Sequence, residues 1–478
     1  VELIIIPVVA ALLSIFTKGN RWLNTILAAA GLGVLLLKFG PSNMDYQSGQ
    51  WVSIVDVPWL SDVVHFHLGL DGISYFLLLL TNILLPLIVF SVNDHRKPSL
   101  VPLALVMQAG LNGVFMAKDG LMFYLFWELA MIPIYFITLI YAERDNFVTT
   151  VRFFIYTFIG SLGMLASLIY LYTKTPDASF AFESLMSINL GYTESIWLGA
   201  GFLLAFAVKI PLFPFHTWQP NTYTYAPAQG SMLLSGIMLK MGLYGLIRWY
   251  MPLAGESIPF YQPIIITLAV IGIVYGALIA MRQEDMKRLV AYSSLSHVGL
   301  IAAGIMTMTE TGLNGALLQM FVHGVNVVGL FMAIDLIQQT YRGRHFAELG
   351  GLAKVNRWFT ILFFLIIIGT AAAPLTNGFP GEFMLLKSIF DYDTTYVVFA
   401  GLTIILCAVY MLRMFQFSML GEAQEDNKPM ALINTLPLVV IAVLVIVVGI
   451  FPQWFIEIFE PAVKNILTTI SNTKGVMS

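Results

Sequence analysis

Six side chains that exchange protons stand where the sequence is otherwise apolar. Glu128 lies in GLMFYLFWELAMIPIYFI, Lys209 in AFAVKIPLFPFHTW and Lys240 in SMLLSGIMLKMGLYGLIRWY. His297 lies in YSSLSHVGLIAAG, His323 in LLQMFVHGVNVVGLF and Glu382 in APLTNGFPGEFMLLKSIF. A charge at mid-bilayer costs roughly 2.5–3.5 kcal/mol on insertion scales, and such groups face a bundle interior or a wet cavity. Glu, Lys and His all release protons near neutral pH when their surroundings change. Arg does not, and it is absent from this central set. One buried histidine is more often a satisfied core residue, and charges of this kind also hold helices together as ion pairs. The number and variety of the six favour a proton path with water between the groups.

The elements that must position them follow from composition. The chain has 478 residues, 58% hydrophobic and 11% charged, against about 25% charged in soluble proteins; this is an integral membrane protein. A net charge of −3 gives no nucleic-acid signal, and the single cysteine, Cys407, excludes a disulfide framework or a cysteine-ligated cluster. Val1 opens an apolar segment without a cationic flank, which reads as a first span rather than a signal peptide. Fourteen apolar runs are long enough to cross a bilayer, giving an all-α polytopic bundle. The seventh, 195–225, is broken by Pro211 and Pro214; the twelfth, 358–390, is broken by Gly and Pro around Pro374 and Pro380. Broken helices at membrane depth are tolerated where freed backbone groups meet protein or water, so a charge beside a break marks an ion path.

The chain divides into N-terminal spans with a hairpin loop (1–98), a first repeat (99–249), a second (263–417) and a last span with a tail (418–478). Lys209 to Lys240 and Glu382 to Arg413 are both 31 residues apart, with a common offset of 173 (382 − 209 and 413 − 240). Adding 173 to Glu128 gives position 301, one helical turn from His297. Two five-helix units starting from opposite faces would be inverted repeats, each with a broken helix, although their prolines do not align. One set of alternate loops holds fourteen cations: Lys18, Arg21, Arg96, Lys97, Arg144, Arg152, Arg282, Lys287, Arg288, Arg342, Arg344, Lys354, Arg357 and Lys428. The other set, with span ends and tail, holds seven, among them Arg248. The positive-inside rule makes the first set cytoplasmic and both termini external.

Other polar residues read as less central. The loop 40–70 carries Asp45, Asp56 and Asp62 and ends in VVHFHLGLDGIS, which alternates like a strand; its His65 and His67 suggest an exposed hairpin rather than a metal pair. His216, beside the first break, is expected to line the path. Arg413 and Asp335 lie near inner span ends, where Arg413 can snorkel. The tail from Gln453 to Lys464 reads as an interfacial amphipathic helix. A haem between His297 and His323 is disfavoured, and no dinucleotide turn, Walker loop or CxxC set is present. The sequence moves protons but shows no means of moving electrons.

FWELAMIPIYF, AFAVKIPLFPFHTWQP, YAPAQGSMLLSGIMLKMGLYGLIR, MKRLVAYSSLSHVGL, FVHGVNVVGLFM and GFPGEFMLL, in this order over residues 68–420, resemble the antiporter-like subunits of respiratory complex I and the related Mrp antiporters. The carboxylate at Glu382, with no long lateral C-terminal helix, resembles the NuoM type, counterpart of the mitochondrial subunit 4. The resemblance implies a proton-pumping membrane-arm subunit of a bacterial NADH:quinone oxidoreductase in the plasma membrane. Its neighbours would be NuoL- and NuoN-type chains and lipid. Flavin, iron–sulfur clusters and quinone would sit in partner subunits, with no cofactor in this chain. It also implies that Glu128 and Lys209 form a switchable ion pair, that Lys240 is the central carrier, that His297 and His323 pass the proton on, and that Glu382 delivers it outward. Asn221 and Tyr223 stand where the family commonly has Asp and His, which argues against a titrating role at the inner entrance of the first channel but leaves Lys209 and Lys240 intact. The alternatives are an Mrp-type cation/proton antiporter subunit, a hydrogenase- or ferredoxin-linked relative, or an inert scaffold.

Overall fold

Long runs of Leu, Ile, Val and Phe in a lipid-facing chain must satisfy their backbone internally, so they form helices. The computed structural model describes residues 1–60, 63–92, 97–142, 147–341, 343–422 and 428–474. Asp62, Arg96, Arg144 and Arg342 lie outside the described residues, as does the side chain of Lys474. The helices are α1 (Glu2–Phe16), α2 (Arg21–Phe39), α3 (Gly72–Ser91), α4 (Leu100–Met116), α5 (Gly120–Tyr141) and α6 (Phe147–Lys174). They continue as α7 (Tyr192–Lys209), α8 (Gln219–Tyr225), α9 (Ala228–Leu253), α10 (Ile258–Arg282), α11 (Met286–Met306) and α12 (Glu310–Tyr341). The last are α13 (Arg357–Thr370), α14 (Gly378–Tyr392), α15 (Thr394–Met419), α16 (Leu436–Ile450) and α17 (Pro452–Lys474). Among the described residues ten helices are long and apolar enough to cross a membrane, and α1, α4 and α13 are apolar but shorter.

Both breaks fall where the prolines and glycines place them, and both are satisfied internally. After α7 the chain turns at Pro211 and Pro214, which have no N–H to continue the ladder. Leu212 N instead donates to Ala207 O (2.8 Å) and the Trp218 indole donates to Val208 O (3.1 Å). Between α13 and α14, Ala373 N donates to Ile368 O (3.0 Å), and the Thr376 hydroxyl donates to Ala373 O (2.6 Å). Asn377 then exchanges amide hydrogen bonds of 2.9 and 3.1 Å with Asn326 of α12. Helix α9 has a different irregularity: π-turns at Leu234–Met238 and Leu246–Tyr250 bracket Lys240–Gly245. Single π-turns inside α-helices recur at functional sites.

Helices α11 and α12 form the centre, with almost every residue of their apolar stretches buried. Gly236 of α9 and Gly324 of α12 let these two backbones meet: a Cβ on Gly324 would stand 2.7 Å from Gly236 O, and one on Gly236 2.4 Å from Val328 Cγ2. Small residues permit such approaches between membrane helices. Gly324→Ala must push α9 from α12, at an overpacking penalty of about 1–3 kcal/mol. The expected result is a lower thermal midpoint of the purified assembly and slower coupled turnover.

The hairpin is present, with β1 (Val52–Leu60) antiparallel to β2 (Val64–Leu70). It differs from the exposed hairpin expected: His67 to Leu70 are buried, and Lys118 N donates to His67 O at 2.9 Å. His65 Nδ1 lies 2.6 Å from Asp56 Oδ1 and His67 Nε2 lies 2.9 Å from Ser53 Oγ, so each ring serves the hairpin itself. The tail is an amphipathic helix, as expected, and is longer than Gln453 to Lys464. α17 runs over 23 residues and docks through Phe459 on Phe76 (4.8 Å between centroids) and Phe455 on Phe321 (5.8 Å).

Candidate functional site

Helix α12 supplies His323, and the glycine contact just described brings Lys240 of α9 to it. Lys240 Nζ donates to Ser235 O (2.7 Å) and lies 2.8 Å from His323 Nδ1. The π-turn at Leu234–Met238 is what leaves Ser235 O free to accept, because it breaks the regular backbone pairing there. On its other side His323 Nε2 lies 3.0 Å from Ser294 Oγ of α11. One turn along α11, His297 Nδ1 lies 3.4 Å from Glu382 Oε1, and the two histidine rings are 6.3 Å apart. Lys240, His297, His323 and Glu382 are all buried. Gly381, in front of Glu382, admits α14 against Gln319: a Cβ there would stand 2.5 Å from Gln319 Oε1. A small cavity of about 10 Å³ lies among Ser294, His297, Gln319, His323 and Asn326.

These are two short runs of exchangeable protons, Lys240–His323–Ser294 and His297–Glu382, separated by the space between the two imidazoles. Two other hydroxyl pairs involve the same stretch of α11, with Ser293 Oγ 3.1 Å from Tyr410 OH and Ser296 Oγ 3.2 Å from Thr403 Oγ1. Cys407, which the sequence offered only as an unpaired thiol, has its Sγ 3.3 Å from His297 Nε2.

Glu128 and Lys209 sit apart from these runs. Lys209 is the last residue of α7 before the break, and its ammonium lies 2.6 Å from Met131 Sδ and 5.2 Å from the centre of the Trp127 ring. Glu128 Oε1 is buried without a hydrogen-bond partner. Each feels the other's charge, but the closed ion pair expected is not formed here. Met131, at i+3 on the same face of α5 as Glu128, holds the ammonium instead. No hydrogen-bonded chain joins Lys209 to Lys240 among the described residues; Gly242 of α9 packs directly on Lys209, where a Cβ would stand 3.2 Å from Lys209 Cβ.

The remaining candidates have structural partners. His216 lies between Phe213 (5.4 Å) and Tyr275 (5.0 Å), with Nδ1 unpartnered, and touches neither cluster. Arg413 reaches to a helix end. It donates to Met281 O and to Gln283 O (3.2 Å), tying α15 to the end of α10. Asp335 accepts from Gln229 (3.2 Å) and Gln339 (2.9 Å). Lys287, counted with the loops, is buried with Nζ 2.6 Å from Ala226 O at the end of α8. Tyr223 is buried, as a residue replacing a titrating one can be. Among the described residues no three His, Cys, Asp or Glu converge on a common point.

Sequence reasoning passed over one buried charge pair. Asp71 caps α3 by accepting from Ser74 N (2.9 Å) and pairs with Arg248 at the end of α9; both are buried. The Arg248 guanidinium also lies 4.2 Å from the Trp51 ring centre, so hairpin, α3 and α9 meet on it. Asp71 before Gly72 is a legible N-cap signal, but nothing in the spacing pairs it with a residue 177 positions away. Close by, Asp119 caps α5 through Leu121 N and Met122 N (2.9 and 3.0 Å), and burial outweighs these bonds to raise its carboxyl to about 6.

Residues 117–408 match the family model described as NADH:quinone oxidoreductase/Mrp antiporter, TM. The NADH-quinone oxidoreductase subunit M of Rickettsia bellii is 34% identical over 93% of this chain and 91% of its own length. That of Escherichia coli K12 is 31% identical over 97% and 96%. A chain of respiratory complex I from Thermus thermophilus superposes with a TM-score of 0.88, at 27% identity over 97% of this chain and 99% of that one. A chain of the Mrp complex from Dietzia sp. shares the fold, with a TM-score of 0.86 at 19% identity. On this evidence the chain belongs to the NADH:quinone oxidoreductase/Mrp antiporter transmembrane family, in the branch of NADH-quinone oxidoreductase subunit M.

Proposed function

We propose that this chain is a proton-pumping subunit in the membrane arm of a bacterial NADH:quinone oxidoreductase. The observation that carries the reading is the buried line Lys240–His323–Ser294 and His297–Glu382, in which protonatable groups from α9, α11, α12 and α14 meet at 2.8 to 3.4 Å. Buried ionisable groups inside a membrane bundle mark ion pathways. Glu128 and Lys209 act as the switch. With the ammonium on Met131 its charge is only partly compensated by Glu128 and repels a proton on Lys240; when it swings to Glu128 that repulsion falls and Lys240 is reloaded. Lys240 hands its proton to His323, His297 receives it across the small cavity, and Glu382 releases it.

The chain has fourteen spans in this reading. The ten long helices and α1 and α4 are joined by two broken spans, α7 with α8 and α13 with α14. The two five-helix repeats are inverted, the basic loops face the cytoplasm, and both termini are external. NuoL- and NuoN-type chains are its membrane neighbours, and partner subunits hold the flavin, iron–sulfur clusters and quinone.

Affinity isolation of the tagged chain from its own membranes tests the assignment. The expected assembly contains flavin and iron and oxidises NADH with quinone. A purely membrane-embedded assembly without flavin, iron or NADH oxidation would overturn the assignment and point to a cation/proton antiporter.

A further inference from the structure

The serines of YSSLSH have different duties. Ser293 meets Tyr410, and Ser296 donates to Ile273 O at 3.0 Å. Buried serines elsewhere, such as Ser235, Ser388 and Ser418, return their hydroxyl hydrogen to a carbonyl of the preceding turn. Ser294 does not: the contact of its Oγ with His323 Nε2 is its hydroxyl's only hydrogen bond among the described residues. An ammonium has donors and no acceptor. While Lys240 is an ammonium, with Nζ 2.8 Å from Nδ1, His323 keeps Nδ1 bare and carries its hydrogen on Nε2, which donates to Ser294 Oγ. The Ser294 hydrogen is then left for the cavity, whose size of about 10 Å³ admits one water. Gln319 lines the same cavity, is 2% exposed, and its Oε1 is without a partner.

We propose that Ser294 is the relay residue that carries the proton out of His323 and selects its tautomer. The step balances as follows. An N–H bond of Lys240 breaks as Nδ1–H forms on His323, Nε2–H breaks as a new Oγ–H forms on Ser294, and the original Ser294 hydrogen passes to water in the cavity. One proton has moved. Lys240 is neutral, and His323 has become the Nδ1–H tautomer, which donates to the Lys240 lone pair. Ser294 now donates to Nε2 through the hydrogen it received and must turn back before the next proton, so the group at this position has to accept in one half of the cycle and donate in the other. A hydroxyl does both, and a methyl does neither. Reprotonation of Lys240 sets two donors against each other at Nδ1, so the next turnover requires His323 to return to the Nε2–H form.

The inference rests on the proposed proton path, and its test separates the two. In the purified, membrane-reconstituted complex, Ser294→Thr and Ser294→Val have nearly equal shape and differ in the hydroxyl. Ser294→Thr is expected to keep coupled turnover within about twofold of the parent, and Ser294→Val to lower it by about tenfold or more, the scale of a lost proton-transfer group. If Val does not assemble, Ser294→Ala removes the oxygen without added volume and carries the same expectation. Equal turnover in the Thr variant and the variant lacking the hydroxyl overturns the relay. Full pumping by Lys240→Leu would instead overturn the path on which it rests.

Discussion

Lys240→Leu is expected to lower NADH-driven, proton-coupled quinone reduction by at least about tenfold while the complex still assembles. The size follows from the place of Lys240 in the proposed path, next to His323 at 2.8 Å, where positioned proton-transfer groups contribute about 10²–10⁴-fold. Retained assembly follows from burial. Lys240 has no carboxylate partner among its hydrogen bonds, only Ser235 O and an imidazole nitrogen. Removing a buried charge that has no counter-charge relieves its desolvation cost, and Leu is close to the lysine stem in volume. Rate should therefore fall while the thermal midpoint holds or rises, a combination that damage to packing does not produce. Coupled turnover and thermal denaturation of the same preparation check it together.

Asp71→Ala should do the reverse, removing stability first. Arg248 would be left buried, with its guanidinium on the Trp51 ring and no counter-charge. Breaking one side of a buried pair costs about 3–5 kcal/mol, and the lost cap on α3 adds about 0.5–2 kcal/mol. Poor assembly, or a markedly lower thermal midpoint, is the expected outcome. A double variant, Asp71→Ala with Arg248→Met, should recover most of the loss because no charge then remains buried. If the double variant is as unstable as the single one, the pair is not the origin of the effect.

Much of the candidate site is legible in the sequence because membrane helices make polar residues conspicuous. All six proton-exchanging residues sit in apolar runs, and both breaks are announced by Pro and Gly. What spacing does not carry is which distant helices face each other. The Lys240–His323 contact depends on Gly236 meeting Gly324, and the opening of Ser235 O depends on a π-turn in a stretch, LSGIM, with no local signal for one. Glu128 and Lys209 are visible as charges, but their separation is a matter of rotamers, decided by Met131 and Trp127. The Cys407–His297 contact has no signal in the sequence, because a lone cysteine excludes a disulfide and says nothing about a histidine 110 residues away. Lys287 shows a limit of loop counting: a cation at a helix end can turn inward to a carbonyl of a broken helix.

The central claim is that protons cross this chain through the Lys240–His323–His297–Glu382 line. The most direct test is the number of protons translocated per NADH in sealed vesicles holding the complex, compared between the parent and Lys240→Leu at matched turnover. The account predicts fewer protons per NADH in the variant. An unchanged ratio at parental turnover would contradict it.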